Sequence, residues 1–364
     1  MFLQNFKGKK VLITGHTGFK GSWLSAWLIK LGADICGYSK DIPSDPAMFD
    51  CLNIQDDINH NIADILDKEA LNKIFSSFKP EIVFHLAAQP IVSESVSNPL
   101  LTYETNIIGT ANVLECIRKN NSVKSAIMIT SDKCYENVEW EYGYRENDAL
   151  GGKDPYSASK AGAEIVFSSF YRTFLTNERK DLGICTVRAG NVIGGGDWAQ
   201  DRIVPDTVKS WSKNESVFLR NPIATRPWQH VLEPLSGYLL LAQKLYGKST
   251  SFNGTSFNFG PSSDVIKSVE ELIDEMSNHW DGSKKDISSV NTDFNESSLL
   301  KLSCDKALKD LSWSPTLSFE ETAQFTIDWY LKFYLDNKKN IREYTMNQID
   351  HYESLFLKRN KEIV

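Results

Sequence analysis

Three absences narrow this 364-residue chain before any motif is considered. Its six cysteines (Cys36, Cys51, Cys116, Cys134, Cys185, Cys304) include no C-x-x-C pair. That argues against a zinc or disulfide framework and for a reducing cytoplasm. No run approaches the ~18 consecutive apolar residues of a spanning helix, and residues 1–7 are too short and polar a stretch for a signal peptide. Positive charge is in deficit, 40 Lys and Arg against 47 Asp and Glu, so neither a nucleic-acid nor a membrane partner is expected. Internal repeats and low-complexity tracts are also lacking. What remains is 41% hydrophobic and 24% charged, an ordinary globular balance that allows a large core with a second lobe.

The first apolar run, Lys10-Val11-Leu12-Ile13-Thr14, ends at Gly15-His16-Thr17-Gly18-Phe19-Lys20-Gly21. Helical periodicity follows, with a stop at Gly32. Strand, glycine turn and helix in that order let backbone N–H groups approach a pyrophosphate at the helix N-terminus. Lys20 precedes Gly21, which breaks the P-loop pattern. The second strand, Asp34-Ile35-Cys36-Gly37-Tyr38, has no acidic residue at its end, where one often holds ribose hydroxyls. Ser39, Lys40 and Asp41 stand there and leave NAD and NADP both open. Residues 58–62 read as a third strand leading to Asp64-Ile65, where Asp64 either faces an adenine or caps the helix from Lys68.

Glu81-Ile82-Val83-Phe84-His85 runs into Leu86-Ala87-Ala88-Gln89, whose small side chains suit a flat cofactor lying against backbone. His85 reads as core. A helix over 99–120 carries Asn106, either the anchor of a water relay or a brace between neighbours. The strand over 123–130 delivers Thr130-Ser131-Asp132-Lys133 to a strand-end crevice, and Tyr156 and Lys160 lie four apart on one helical face. Strands alternating with helices predict a Rossmann-type, doubly wound parallel sheet. After a sixth strand at 183–188 the glycine run to Trp198 marks the exit into a smaller C-terminal α/β lobe. That lobe carries Arg202, Arg220 and Arg226 with Trp198, Trp228 and His230. Arginine forks and aromatic rings suit a nucleotide; a scatter of surface arginines is the plainer alternative. The expected division is 1–190 for the cofactor domain, with roughly 225–265 returning to it, 191–340 for the lobe, and a solvated charged tail over 341–364. The aromatic-rich helix over 319–335 is read as core.

Together, Gly15-x-x-Gly18-x-x-Gly21, Asn106, Ser131, Tyr156-x-x-x-Lys160 and Arg188-Ala189-Gly190-Asn191-Val192 resemble the extended short-chain dehydrogenase/reductases. Thr130-Ser131-Asp132-Lys133-Cys134-Tyr135-Glu136-Asn137 and Arg226-Pro227-Trp228-Gln229-His230 narrow the resemblance to nucleotide-sugar 4,6-dehydratases, in the branch acting on CDP-glucose. The resemblance covers roughly residues 8–330. It implies a tightly held NAD, contacted by Gly15, Thr17, Gly18, Phe19, Gly21, Ser39, Asp64, Ile65, Leu86, Ala87, Ala88, Asn106, Tyr156 and Lys160. It further implies that Tyr156 takes the proton of the sugar 4-hydroxyl, Ser131 holds the 4-oxygen and Asp132 protonates the departing 6-hydroxyl. Lys133 stands where other dehydratases carry a glutamate base; it is either the C5 base or a phosphate or Asp132 partner. Gln89, Asn191, Trp198, Arg202, Arg220, Arg226 and His230 would line the nucleotide sugar, with Asn191 and Arg226 on its diphosphate. A 4-epimerase, or a dehydratase of another nucleotide hexose, is the alternative. The family also implies a homodimer or dimer of dimers built on the helices over 99–120 and 155–177.

Overall fold

The computed structural model describes residues 3, 5–247, 251–262, 265–287, 299–335 and 340–360. Seven strands form the central sheet: β1 (Lys10–Thr14), β2 (Asp34–Ser39), β3 (Asn59–Ile62), β4 (Ile82–His85), β5 (Ser125–Ile129), β6 (Gly183–Ala189) and β7 (Ser256–Phe259). All pair in parallel, in the order β7-β6-β5-β4-β1-β2-β3. Alternation along each strand feeds two layers of core. Val11 and Ile13 enter one layer and Leu12 the other, and Ile82 and Phe84 part from Val83 in the same way. A strand buried on both faces needs an apolar residue at nearly every position, so these strands are unbroken apolar runs in the sequence.

The helices that bear on the site are α1 (Phe19–Lys30), α2 (Lys68–Phe78), α3 (Pro99–Tyr103), α4 (Gly109–Lys119) and α5 (Pro155–Phe170). Further along come α6 (Ile203–Trp211), α7 (Leu232–Leu245), α8 (Phe319–Leu335) and α9 (Ile341–Arg359). A π-helical turn, Glu104–Ile108, joins α3 to α4. Strand order reverses between β1 and β4, which opens a crevice at their carboxyl ends. Residues between β6 and β7 build part of the lobe from α6 and short strand pairs, among them Val192–Ile193 with Gln229–His230. β7 then returns to the sheet edge, Phe257 opposite Val187. Among the described residues, no helix is long and apolar enough to cross a membrane. None of the six cysteines is joined in a disulfide. Burial pushes the Cys36 and Cys185 thiols up to about 12, which makes them packing groups rather than nucleophiles.

The expected solvated tail is corrected by α9. Ile341, Ile349, Tyr352 and Phe356 recur at helical spacing and enter the main core, where Tyr352 meets Trp27 of α1 with ring centroids 5.7 Å apart. The Tyr352 hydroxyl donates to Glu233 Oε2 at 2.8 Å, while Thr316 and Leu317 N–H groups reach Glu233 Oε1 at 2.9 and 2.6 Å. Burial raises this carboxyl to about 7, against the pull of those donors. Charged residues on the outer face of α9 conceal an apolar stripe on the inner one. Residues 361–364 of the expected tail lie outside the described residues.

Candidate active site

The glycine turn is built for close approach. Gly15 has φ +78°, and a Cβ there would come 2.7 Å from the Ala87 nitrogen. A Cβ on Gly21 would lie 2.0 Å from the Gly15 carbonyl oxygen. The turn after β1 is thus pressed against the segment after β4, and the Leu86 and Ala87 N–H groups donate to Thr14 at 3.0 and 3.2 Å. Gly18 caps α1 in an extended conformation with no side-chain hydrogen bond, leaving the first-turn N–H groups of α1 without a side-chain cap. The residues present therefore fit a dinucleotide: a side-chain-free cradle at a helix N-terminus, at the point where strand order reverses.

On the β2 side of the turn, Ser39 is buried, with its hydroxyl 2.8 Å from His16 Nδ1 and accepting from the Thr17 N–H at 3.3 Å. Thr17 donates to the Asp41 carbonyl at 2.6 Å. Asp64 pairs with Lys40 at 3.2 Å and accepts from the Leu66 N–H. The cap of α2 is Asp67, which accepts from Glu69 and Ala70, so the capping alternative for Asp64 fails. Ile65 is buried against Gly109, where a Cβ would meet its Cγ2 at 2.7 Å. His85 is a satisfied core residue, bonded to Thr14 and Thr110 hydroxyls at 2.8 and 3.1 Å.

At the other end of the crevice, β5 stops at Ile129 and a single 3-10 turn, Asp132–Cys134, follows. α5 starts cleanly because Asp154 accepts from the Ser157 N–H at 2.9 Å and Pro155 occupies its first turn. Tyr156 and Lys160 thereby face the strand end, with the Lys160 amine 5.9 Å from the Tyr156 ring centre. Burial pushes the Tyr156 phenol up to about 12; a hydrogen bond with Ser131 pulls it down and Asp132 pushes it further up. Desolvation lowers Lys160 to about 8, opposed by Glu164. Asp132 is 4% exposed, its Oδ1 accepts from the Ser131 hydroxyl at 3.0 Å, and its Oδ2 has no hydrogen-bond partner among the described residues. Burial raises its pKa, against the pull of Lys133, Ser131 and Lys20. The arrangement places a phenol, a hydroxyl, a buried carboxyl and amines around one crevice.

What holds the two halves in register is a pair of residues whose partnership the motifs do not display. Arg188 on β6 grips Glu164 on α5 with two bonds, Nε to Oε1 at 3.0 Å and Nη2 to Oε2 at 2.8 Å. Glu164 also accepts from Thr130 at 2.5 Å and Thr186 at 2.8 Å. Thr130 directly precedes Ser131, and Glu164 lies one turn beyond Lys160. The bond between them fixes the acid-bearing turn against the Tyr–Lys helix. Asn106 is a second brace: its amide donates to the Gln89 carbonyl and the Ser159 hydroxyl at 3.0 and 2.8 Å and accepts from the Gln89 N–H at 2.8 Å.

Comparison with known proteins agrees with this geometry. A model of the GDP-mannose 4,6 dehydratase family matches residues 12–326. The chain belongs to that family. It is 46% identical over 334 residues to a CDP-glucose 4,6-dehydratase of Salmonella typhimurium, covering 91% of this chain and 93% of that one. A UDP-glucose 4-epimerase of Thermotoga maritima, solved with UDP-glucose, superposes with a TM-score of 0.74 at 25% identity, over 90% and 99% of the two chains. A dTDP-glucose 4,6-dehydratase of Bacillus anthracis, solved with NAD, shares the fold with a TM-score of 0.74 at 20% identity, over 91% and 100%.

Two of the expected substrate residues of this family member are misplaced by sequence reasoning. Trp198 is 3% exposed and packs against Trp329, Tyr330 and Phe333, with its N–H donating to Tyr334 at 3.2 Å; no base can stack on it. His230 is fully buried between Trp23 and Phe325, and desolvation lowers it to about 3. Both belong to the aromatic core that α8 anchors. Gln89 spends its side-chain amide on Ile91 and Thr102. Arg202 reaches the crevice and pairs with Asp197 at 2.7 Å, whereas Arg220 is exposed and pairs with Asp201 and Asp206. Arg226 donates to the Thr225 carbonyl, and Asn191 is half-buried on the segment that pairs with Gln229. Lys20, whose place before Gly21 breaks the P-loop pattern, has Arg202, Asp132, Lys160 and Asp197 as electrostatic neighbours.

Proposed function

We propose that this chain is an NAD-dependent dehydratase that converts CDP-glucose to CDP-4-keto-6-deoxyglucose. We place it in the cytoplasm, supplying a deoxysugar for surface polysaccharide such as lipopolysaccharide O-antigen. The observation that carries the reading is Asp132, a buried carboxyl whose pKa is raised by burial and whose Oδ2 has no hydrogen-bond partner among the described residues, beside Lys133 and the Tyr156–Lys160 face. An epimerase needs no acid for a leaving hydroxyl. Support for CDP-glucose comes from the Salmonella relative and from Lys133.

Bound NAD supplies the hydride acceptor for C4 and the donor for C6. Ser131 holds the sugar 4-oxygen while Tyr156 takes its proton; Ser131 and Arg202 oppose the burial that lifts the phenol to about 12. The 4-ketone acidifies C5, whose proton Lys133 removes. Asp132 protonates the departing 6-hydroxyl. Gly15, Gly18, Phe19 and Gly21 cradle the pyrophosphate, and Arg202, Asn191 and Arg226 serve the nucleotide sugar. Exposed Leu100, Ile108 and Ile165, on α3, the π-helical turn and α5, support pairing with a second copy as a homodimer or dimer of dimers.

Incubation with CDP-, dTDP-, GDP- and UDP-glucose tests the substrate. CDP-glucose alone should yield the alkali-induced absorbance of a 4-keto-6-deoxy sugar. A C4 epimer without that product would overturn the reading.

A further inference from the structure

Gly190 directly follows β6, and its backbone does not call for a glycine. Its φ lies outside the left-handed region that Gly15 and Gly196 occupy, so a residue with a side chain could adopt the same conformation. What is taken is its side-chain space. A Cβ at this position would lie 3.0 Å from Asp132 Oδ2, 3.1 Å from Pro227 Cγ and 3.7 Å from Asp132 Cγ. The Asp132 carboxyl therefore stands where a side chain of residue 190 would be, with the buried Pro227 ring beside it.

Each of the three is held in place. Ala189, before Gly190, pairs with Phe259 of β7, and the carbonyl of Asn191, after it, accepts from the Gln229 N–H at 3.2 Å. Next to Pro227, the Trp228 N–H donates to the Arg226 carbonyl at 3.0 Å and the Trp228 indole to the Lys267 carbonyl at 3.1 Å. Asp132 takes the Ser131 hydroxyl on Oδ1 at 3.0 Å and the Tyr135 N–H on its carbonyl at 3.3 Å. A glycine Cα and a proline ring offer Oδ2 no N–H or O–H, and it has no hydrogen-bond partner among the described residues. The titratable groups around the carboxyl are Lys133 and Cys134 on its own turn, Lys20 on α1, Tyr156 on α5 and Tyr238 on α7. A carboxyl oxygen against such a wall is harder to ionise than one given a donor.

We propose that Gly190 is a positioning residue for the elimination step: with Pro227 it forms a donor-free seat that sets where the Asp132 carboxyl stands. The assignment rests on the reading of Asp132 as the acid for the departing 6-hydroxyl. Gly190→Ala fills the seat without adding a donor. Keto-sugar formation should then slow about ten- to a hundredfold, the effect of a small misplacement of a reacting group, while nicotinamide reduction stays near the wild-type rate. Gly190→Ser adds a hydroxyl beside Oδ2, and a donor there favours the carboxylate. The pH above which elimination slows should fall by about one unit, the shift that one hydrogen bond to a charged group supplies. Pro227→Ala opens the wall to solvent from the other side and should move that limb in the same direction without crowding. Rapid-mixing spectroscopy over a pH series reads both steps in all three variants. Equal loss of both steps in Gly190→Ala, or a limb at its wild-type position in both Gly190→Ser and Pro227→Ala, overturns the proposal and leaves the dehydratase reading standing. A wild-type chain that forms no keto-sugar overturns both.

Discussion

Asp132→Asn should lower formation of the 4-keto-6-deoxy product by about 10²- to 10⁴-fold, the usual contribution of a positioned acid, while hydride removal from C4 stays measurable. Asparagine has nearly the same shape and can keep the contact with Ser131, so the strand-end turn should stay in place. What it lacks is a proton to give. The wild-type carboxyl can give one because it is 4% exposed and its raised pKa keeps it protonated beyond the ordinary carboxylate range. As pH rises through that raised value the acid ionises, and the elimination step should slow; the substitution should abolish this limb of the pH profile. Rapid-mixing spectroscopy follows appearance of reduced nicotinamide separately from keto-sugar formation. Equal loss of both would mean that Asp132 serves binding or architecture rather than the departure of the 6-hydroxyl.

Arg188→Met should cost about 3–5 kcal/mol of stability, the penalty for leaving one member of a buried ion pair alone. Glu164 is fully enclosed, and its bonds to Arg188, Thr130 and Thr186 keep its pKa low against desolvation. In the wild type, Glu164 therefore contributes stability above the unfolded carboxylate pKa and loses it as pH falls. Without Arg188 the desolvation is unopposed and the sign reverses: the lone carboxylate destabilises most at neutral pH, and the defect shrinks as acid protonates it. Urea unfolding at pH 8 and pH 5 tests this, with the midpoint falling more at pH 8 and the slope unchanged. Adding Glu164→Gln to the variant should recover much of the loss. Equal defects at both pH values, with no recovery, would show that the guanidinium acts by packing alone.

Sequence reasoning reached the parts of this molecule whose chemistry is local. The glycine turn, the apolar runs of β1, β4 and β5, and the Tyr156–Lys160 spacing are each contained within a few neighbouring residues. Long-range partnerships were another matter. Glu164 looks like one acid in an amphipathic helix until Arg188, 24 residues away, closes on it. Trp198 and His230 carry the residue types of a nucleotide site, but α8 arrives much later in the sequence and buries them. In α9 the apolar stripe was present but diluted by charges on the outer face.

The central claim is that hydride leaves C4, water is lost across C5–C6 and the same hydride returns to C6. CDP-glucose carrying deuterium at C4 tests all three steps in one product. The account predicts a 4-keto-6-deoxy sugar with the deuterium on C6 and one solvent proton at C5. Deuterium retained at an epimerised C4, or exchanged to solvent, would contradict it.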